Sequence, residues 1–172
     1  MSYYKRLLLL IPLLLLNSCG LLYYKNESTE HYEMRKQGYE LCHLKSCGPQ
    51  AVNEALKCLN IDKSQIEIGK EMQDTDIYHY RSILSIVHHD FCKITCPPDL
   101  IRYCKRIGLS VQVAKDISEV KPGDVAIILI RGKDRLREWH YACYPRWSID
   151  TIMSFFKQDT VFISAYILTP KL

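Results

Sequence analysis

The chain has 172 residues, 24% of them charged and 48% hydrophobic, with a net charge of +4. Once an N-terminal segment is set aside, about 150 residues remain, enough for a single domain with its own core. The positive charge is mild and forms no long basic block, which argues against a nucleic-acid partner.

The chain opens with a short basic stretch ending in Lys5 and Arg6, followed by an apolar run from Leu7 to Leu16 broken by Pro12. That run has the length of a secretory signal core and falls short of the ~20 residues a spanning helix needs. Proline in its middle disfavours a long uninterrupted helix. The basic residues precede the apolar run, so the chain beyond that run is expected outside the cytoplasm. Leu16, Asn17, Ser18 and Cys19 together resemble the bacterial lipobox. The resemblance implies a signal peptide over 1–18 and diacylglycerol on the Cys19 thiol, giving a lipoprotein held in the cell envelope by its lipid. Gly20 stands where an inner-membrane retention aspartate would be, so in a two-membrane bacterium the resemblance favours the outer membrane. The alternative is an uncleaved anchor extended through Gly20 to Tyr24.

Residues 19–36 then read as a tether, because Lys25 to Lys36 is polar, charged and poor in aliphatics. The folded domain is expected over 37–172. Its strongest helix signal runs from Ser46 to Asn60, with Val52, Ala55, Leu56 and Leu59 on one face. Ser46 is placed to cap that helix, Pro49 suits its first turn and Asn60 its end. Shorter helices are expected over Ser64 to Met72, Tyr78 to Val87 and Leu100 to Ile107, the last stopped by Gly108. The pattern then changes. Leu109 to Val113 alternates as a strand, and Asp124 to Ile130 is the apolar run of a buried central strand. A charged turn over Gly132 to Arg137 leads to a strand over Trp139 to Tyr144, and Thr160 to Leu168 forms the last. Helices first and strands second predict an α+β domain, with N-terminal helices packed on a C-terminal antiparallel sheet.

Eight cysteines are a high count. With Cys19 lipidated, seven remain, an odd number that suggests one free thiol beside possible pairs. Disulfides are chemically permitted outside the cytoplasm. Cys92 and Cys96, Cys42 and His43, and His88 and His89 offer zinc-ligand types, but without the tight spacing of a structural zinc knuckle. Burial as small core hydrophobes accounts for Cys58, Cys104 and Cys143.

Cys47 is the thiol best placed for chemistry. It opens the strongest helix beside Gly48, where the amide dipoles favour a thiolate and can receive an oxyanion. His140, on the strand after the central one, is the candidate general base. Cys47-Gly48-Pro49 opening a helix resembles the nucleophile motif of papain-like cysteine peptidases, in particular the bacteriocin-processing (double-glycine leader) group. Leu100 to Leu109, Lys121 to Ile128 and Trp139 to Ala142 resemble, in order, that group's helix and Leu-Gly-Leu-like turn, its proline-led strand and its histidine strand. The resemblance implies a papain-like fold. It also implies a cysteine peptidase acting on peptides or proteins, with Cys47 as nucleophile, His140 as base and Asp150 orienting the imidazole, and no metal or organic cofactor. Asp159 is the second candidate for the third role, and helix capping or a turn accounts equally well for either aspartate. The family's upstream oxyanion glutamine is replaced by the run Leu41 to Lys45, with His43 the nearest polar substitute. That departure supports the alternative of a catalytically inactive lipoprotein using the fold as a binding or scaffolding module.

Overall fold

The computed structural model describes residues 46–73, 95–133 and 135–171, together with Glu33 and Gln37. The signal segment with Cys19, most of the tether, the helix expected over Tyr78 to Val87, and Cys42 and Cys92 lie outside the described residues. Among those described, no helix is long and apolar enough to cross a membrane.

Among the described residues three helices precede the sheet: α1 (Cys47–Cys58), α2 (Gln65–Gln73) and α3 (Pro97–Arg106). Helix α1 forms where its periodic apolar residues predict. Ala51, Val52, Ala55 and Leu56 are buried, each larger aliphatic contributing about 2 kcal/mol when fully removed from water. It ends as Asn60 turns to φ 58°, the left-handed conformation asparagine tolerates after a helix. Ser46 is the N-cap residue, but its hydroxyl makes no cap hydrogen bond. Instead it faces the Thr95 hydroxyl at 3.5 Å, so the cap expected from the sequence is replaced by a contact between helix starts. Helix α3 begins with Cys96 as N-cap, whose amide donates to Asp99 Oδ2 at 3.2 Å. It ends before Gly108, at φ 85°, where a Cβ would be strained.

Four strands follow: β1 (Leu109–Ala114), β2 (Val125–Gly132), β3 (Arg135–Tyr144) and β4 (Thr160–Pro170). All neighbours pair antiparallel in the order β1-β4-β2-β3, so the last strand inserts into the middle and β3 is left at an edge. The architecture is α+β, with helices on an antiparallel sheet. The connection between β2 and β3 is tighter than the charge run suggests. Gly132 already pairs with Arg135, which places most of the predicted turn inside the hairpin.

Each sheet face carries its own core, as strand alternation requires. Ile127, Leu129, Tyr141, Cys143, Tyr166 and Leu168 face the three helices. Ala126, Ile128, Ile130, Ala142, Ala165 and Ile167 face the opposite way. There a short helix, α4 (Ile149–Met153), contributes Ile152 and the following segment Phe156. With both faces covered, β2 is buried almost throughout, which is why its sequence is a continuous apolar run rather than an alternation.

Candidate functional site

Helix α1 lays one stripe along the edge strand: Cys47, Ala51, Glu54 and Cys58 recur at the spacing of a single helix face. The start of the helix is fixed by close packing. A Cβ on Gly48 would stand 2.0 Å from Thr95 Oγ1 and 2.4 Å from Thr95 Cβ, so only glycine lets the two segments approach. Thr95 is itself buried, and its carbonyl accepts the Tyr141 hydroxyl at 3.0 Å. Thr95 therefore ties the first turn of α1 to β3.

In this corner Cys47 is partly buried against the helix-side core. Burial pushes its thiol above the ordinary value, while the backbone amides of Tyr141, Cys47 and Gly48 pull it back down. The sulfur therefore sits among three N–H donors, two from the helix start and one from the edge strand. Such an arrangement suits negative charge on sulfur or on an adjacent oxygen.

His140 precedes the residue whose amide reaches that sulfur, yet its side chain goes elsewhere. Alternation along β3 puts it on the Ala142 face, away from Tyr141. Its ring stacks on Phe155, with centroids 4.0 Å apart and planes 8° from parallel. Burial lowers its pKa, and the Glu54 carboxylate opposes that shift. Among the described residues, no hydrogen bond joins Cys47 to His140. Cys47 therefore packs with the helix-side core, whereas alternation places His140 on the other face of β3.

Asp150 is exposed in the first turn of α4, where a carboxylate favours the helix dipole. Its backbone carbonyl accepts the Ser154 amide at 3.0 Å. Asp159 ends a 3-10 turn, and its carbonyl accepts the Lys133 amide at 2.7 Å. Among the described residues neither aspartate hydrogen-bonds to His140. The acid that acts on the imidazole is Glu54, which sequence reasoning missed. Its position seven residues after Cys47, two helical turns along the same face, is the signal that could have found it. Phe155 was missed as well, because the short helix before it carries too few residues to show a period.

Beside His140 lies a cavity of about 340 Å³ lined in part by Gln50, Glu54, His140, Trp147, Thr151 and Phe155. Trp147 and Phe155 are 47% and 53% exposed, so its wall is aromatic and open to solvent. Cys47 does not line it. Among the described residues no three His, Cys, Asp or Glu side chains converge as metal ligands. No family model matches the chain, and neither a curated protein nor a solved structure matches it.

Proposed function

We propose that the chain is an exported, lipid-anchored thiol hydrolase of papain-like architecture that cleaves amide bonds in peptides or proteins. The observation that carries this reading is the Cys47 sulfur at a helix start among the amides of Cys47, Gly48 and Tyr141. An acyl group on that sulfur would place its carbonyl oxygen within the same set of donors. Burial raises the thiol and lowers the imidazole, so the resting site holds both groups neutral. Attack is therefore base-assisted. His140 turns from the Phe155 ring around the edge of β3 and takes the thiol proton as sulfur bonds to the carbonyl carbon. The proton then passes to the departing amine, leaving a thioester. Water hydrolyses the thioester to a carboxylic acid and restores the thiol. Glu54 supports the imidazolium that forms between these steps, with Asp150 as the alternative acid named from the sequence. The aromatic cavity beside His140 receives a substrate side chain.

A second reading, a binding module without turnover, draws on one observation: His140 stacks on Phe155 rather than facing Cys47. Turnover of a fluorogenic peptide library by the wild-type chain separates the two. Cleavage that survives in neither Cys47→Ala nor His140→Ala supports the hydrolase. No cleavage by folded wild type, with Cys47 alkylated no faster than a simple thiol across pH, would overturn it and leave the binding module.

A further inference from the structure

We infer that the cavity beside His140 is a specificity pocket for a basic side chain of the peptide substrate, arginine before lysine. The assignment rests on the hydrolase reading for what the pocket serves, and on the lining residues for what it binds. At about 340 Å³ the cavity falls within the roughly 300–1,000 Å³ typical of small-ligand sites. Among the described residues that line it, Glu54 is the one carboxylate, and no lysine or arginine stands beside it. The Gln50 amide donates to Glu54 Oε1 at 3.3 Å, which steadies the carboxylate while engaging one of its two oxygens. Lys57 and Arg146 line a separate cavity that Glu54 also borders. Among the described residues the ion pair is Lys63 with Glu71, so neither of those cations is paired with Glu54.

The aromatic walls are held in place before any ligand arrives. Phe155 packs between the His140 ring, stacked at 4.0 Å, and the edge of Phe156 at 4.9 Å. The Trp147 amide donates to the Cys143 carbonyl at 2.9 Å, which fixes the turn that carries the indole. Trp147 and Phe155 nevertheless keep about half of their surface open to solvent. A guanidinium is planar and weakly hydrated, so it stacks on such rings while its N–H fork meets a carboxylate. The compact, strongly hydrated ammonium of lysine gains less from the rings. An acidic side chain would be repelled by Glu54. Ala51, one helical turn beyond Cys47, also lines the cavity. The rise between the two is about 6 Å, which an extended peptide spans in about two residues. The basic residue is thereby placed within two positions of the scissile bond.

The test reads the pocket apart from the chemistry. The full chain carrying Cys47→Ala, which lacks the nucleophile, is titrated with two sets of short peptides. One set bears arginine at or within two positions of a central amide bond; the other bears citrulline there, which keeps the shape and drops the charge. The expected Kd of the best arginine peptide is about tenfold below that of its citrulline twin, and the His140 imidazole resonances move as it binds. Adding Glu54→Gln should bring the twins within about twofold of each other. Adding Trp147→Ala, at an exposed position, should weaken the arginine peptide about threefold or more. Equal affinities, a preference for citrulline, no binding of either set, or a preference that survives Glu54→Gln would overturn the pocket. Cleavage of the same peptides by the wild-type chain is scored separately. Arginine-selective binding without cleavage would overturn the hydrolase and leave a site for basic side chains, whereas cleavage indifferent to arginine would overturn the pocket and leave the hydrolase.

Discussion

Helix α1 begins and ends on a cysteine that faces β3, and the two ends differ in what surrounds the sulfur. At Cys47 the neighbours are backbone amides, including the two at the helix start. At Cys58 the amides of the last turn are already bonded within the helix, and the neighbour is the thiol of Cys143. Amide donors and the positive end of the dipole stabilise a thiolate and, once it reacts, an oxyanion. The C-terminal end supplies neither. One stripe of one helix thus presents the same side chain in two environments, and the polarity of the backbone distinguishes them.

The largest effect expected from breaking this comparison is at the Cys47 end. Cys47→Ala removes the nucleophile and should lower kcat/KM on a cleavable peptide by about a thousandfold or more, with the far-UV circular dichroism unchanged. Cys58→Ser should leave kcat/KM within about twofold, since an exposed position away from the reacting atoms shifts energies by only a few tenths of a kcal/mol. Equal losses in the two variants would show that the stripe acts as a structural unit. Next in size is Gly48→Ala. Its Cβ would overlap three atoms of Thr95, and the forced shift should cost about 2–3 kcal/mol in urea unfolding. Thr95→Gly removes all three atoms and should recover part of that loss in the double variant, a coupling that a double-mutant cycle measures directly.

Much of this frame was legible in the chain itself. Helix α1 follows from Val52, Ala55, Leu56 and Leu59, and strand β2 from an apolar run that only a strand buried on both faces requires. The α+β order was readable because helical and strand periods occupy separate halves of the sequence. The insertion of β4 between β1 and β2 was not, since strand order depends on long-range pairing that no local pattern records. Helix α4, from Ile149 to Met153, is too short to display a period. The orientation of His140 was readable and was missed. If Tyr141 faces the helices, alternation sends His140 to the other side. The papain-like resemblance placed the imidazole near Cys47 by its position in the chain, and position in the chain does not say which face of the strand a side chain occupies.

A smaller effect sharpens the comparison between the sulfur at the helix start and those sealed in the core. Burial pushes the thiols of Cys104 and Cys143 up to about 12, from an ordinary 9. In the unfolded chain they ionise near pH 9, while in the folded chain they keep their protons. Above pH 9 the unfolded state therefore binds fewer protons, and stability falls as pH rises toward 12. For the reduced protein, each such thiol should cost on the order of 2 kcal/mol by pH 10.5. Urea unfolding at pH 8 and pH 10.5 reads the difference. Cys104→Ala should flatten the slope on the alkaline side, and an unchanged slope would mean that Cys104 is already accessible to hydroxide in the folded state.

The smallest expected effect comes from Glu54, which lies on the stripe between the two cysteines and acts on both ends. Its carboxylate raises His140 against the lowering by burial, and adds to the rise that burial imposes on Cys143. Glu54→Gln removes the charge while keeping the shape, so both groups should titrate lower than in the wild type. The acid side has a definite sign. A histidine whose folded pKa lies below its unfolded value contributes stability above the unfolded pKa near 6.5 and loses it as pH falls toward the folded one. Lowering the folded value further extends that loss to lower pH. The imidazole C–H resonance of His140, followed by NMR over pH, reads one end of the stripe, and the pH dependence of Cys143 alkylation in the Cys58→Ser background reads the other. Both midpoints moving down would show that one carboxylate faces the imidazole and the buried thiol together. A shift confined to Cys143 would leave His140 without its acid partner, and the third position of the proposed mechanism would then fall to Asp150.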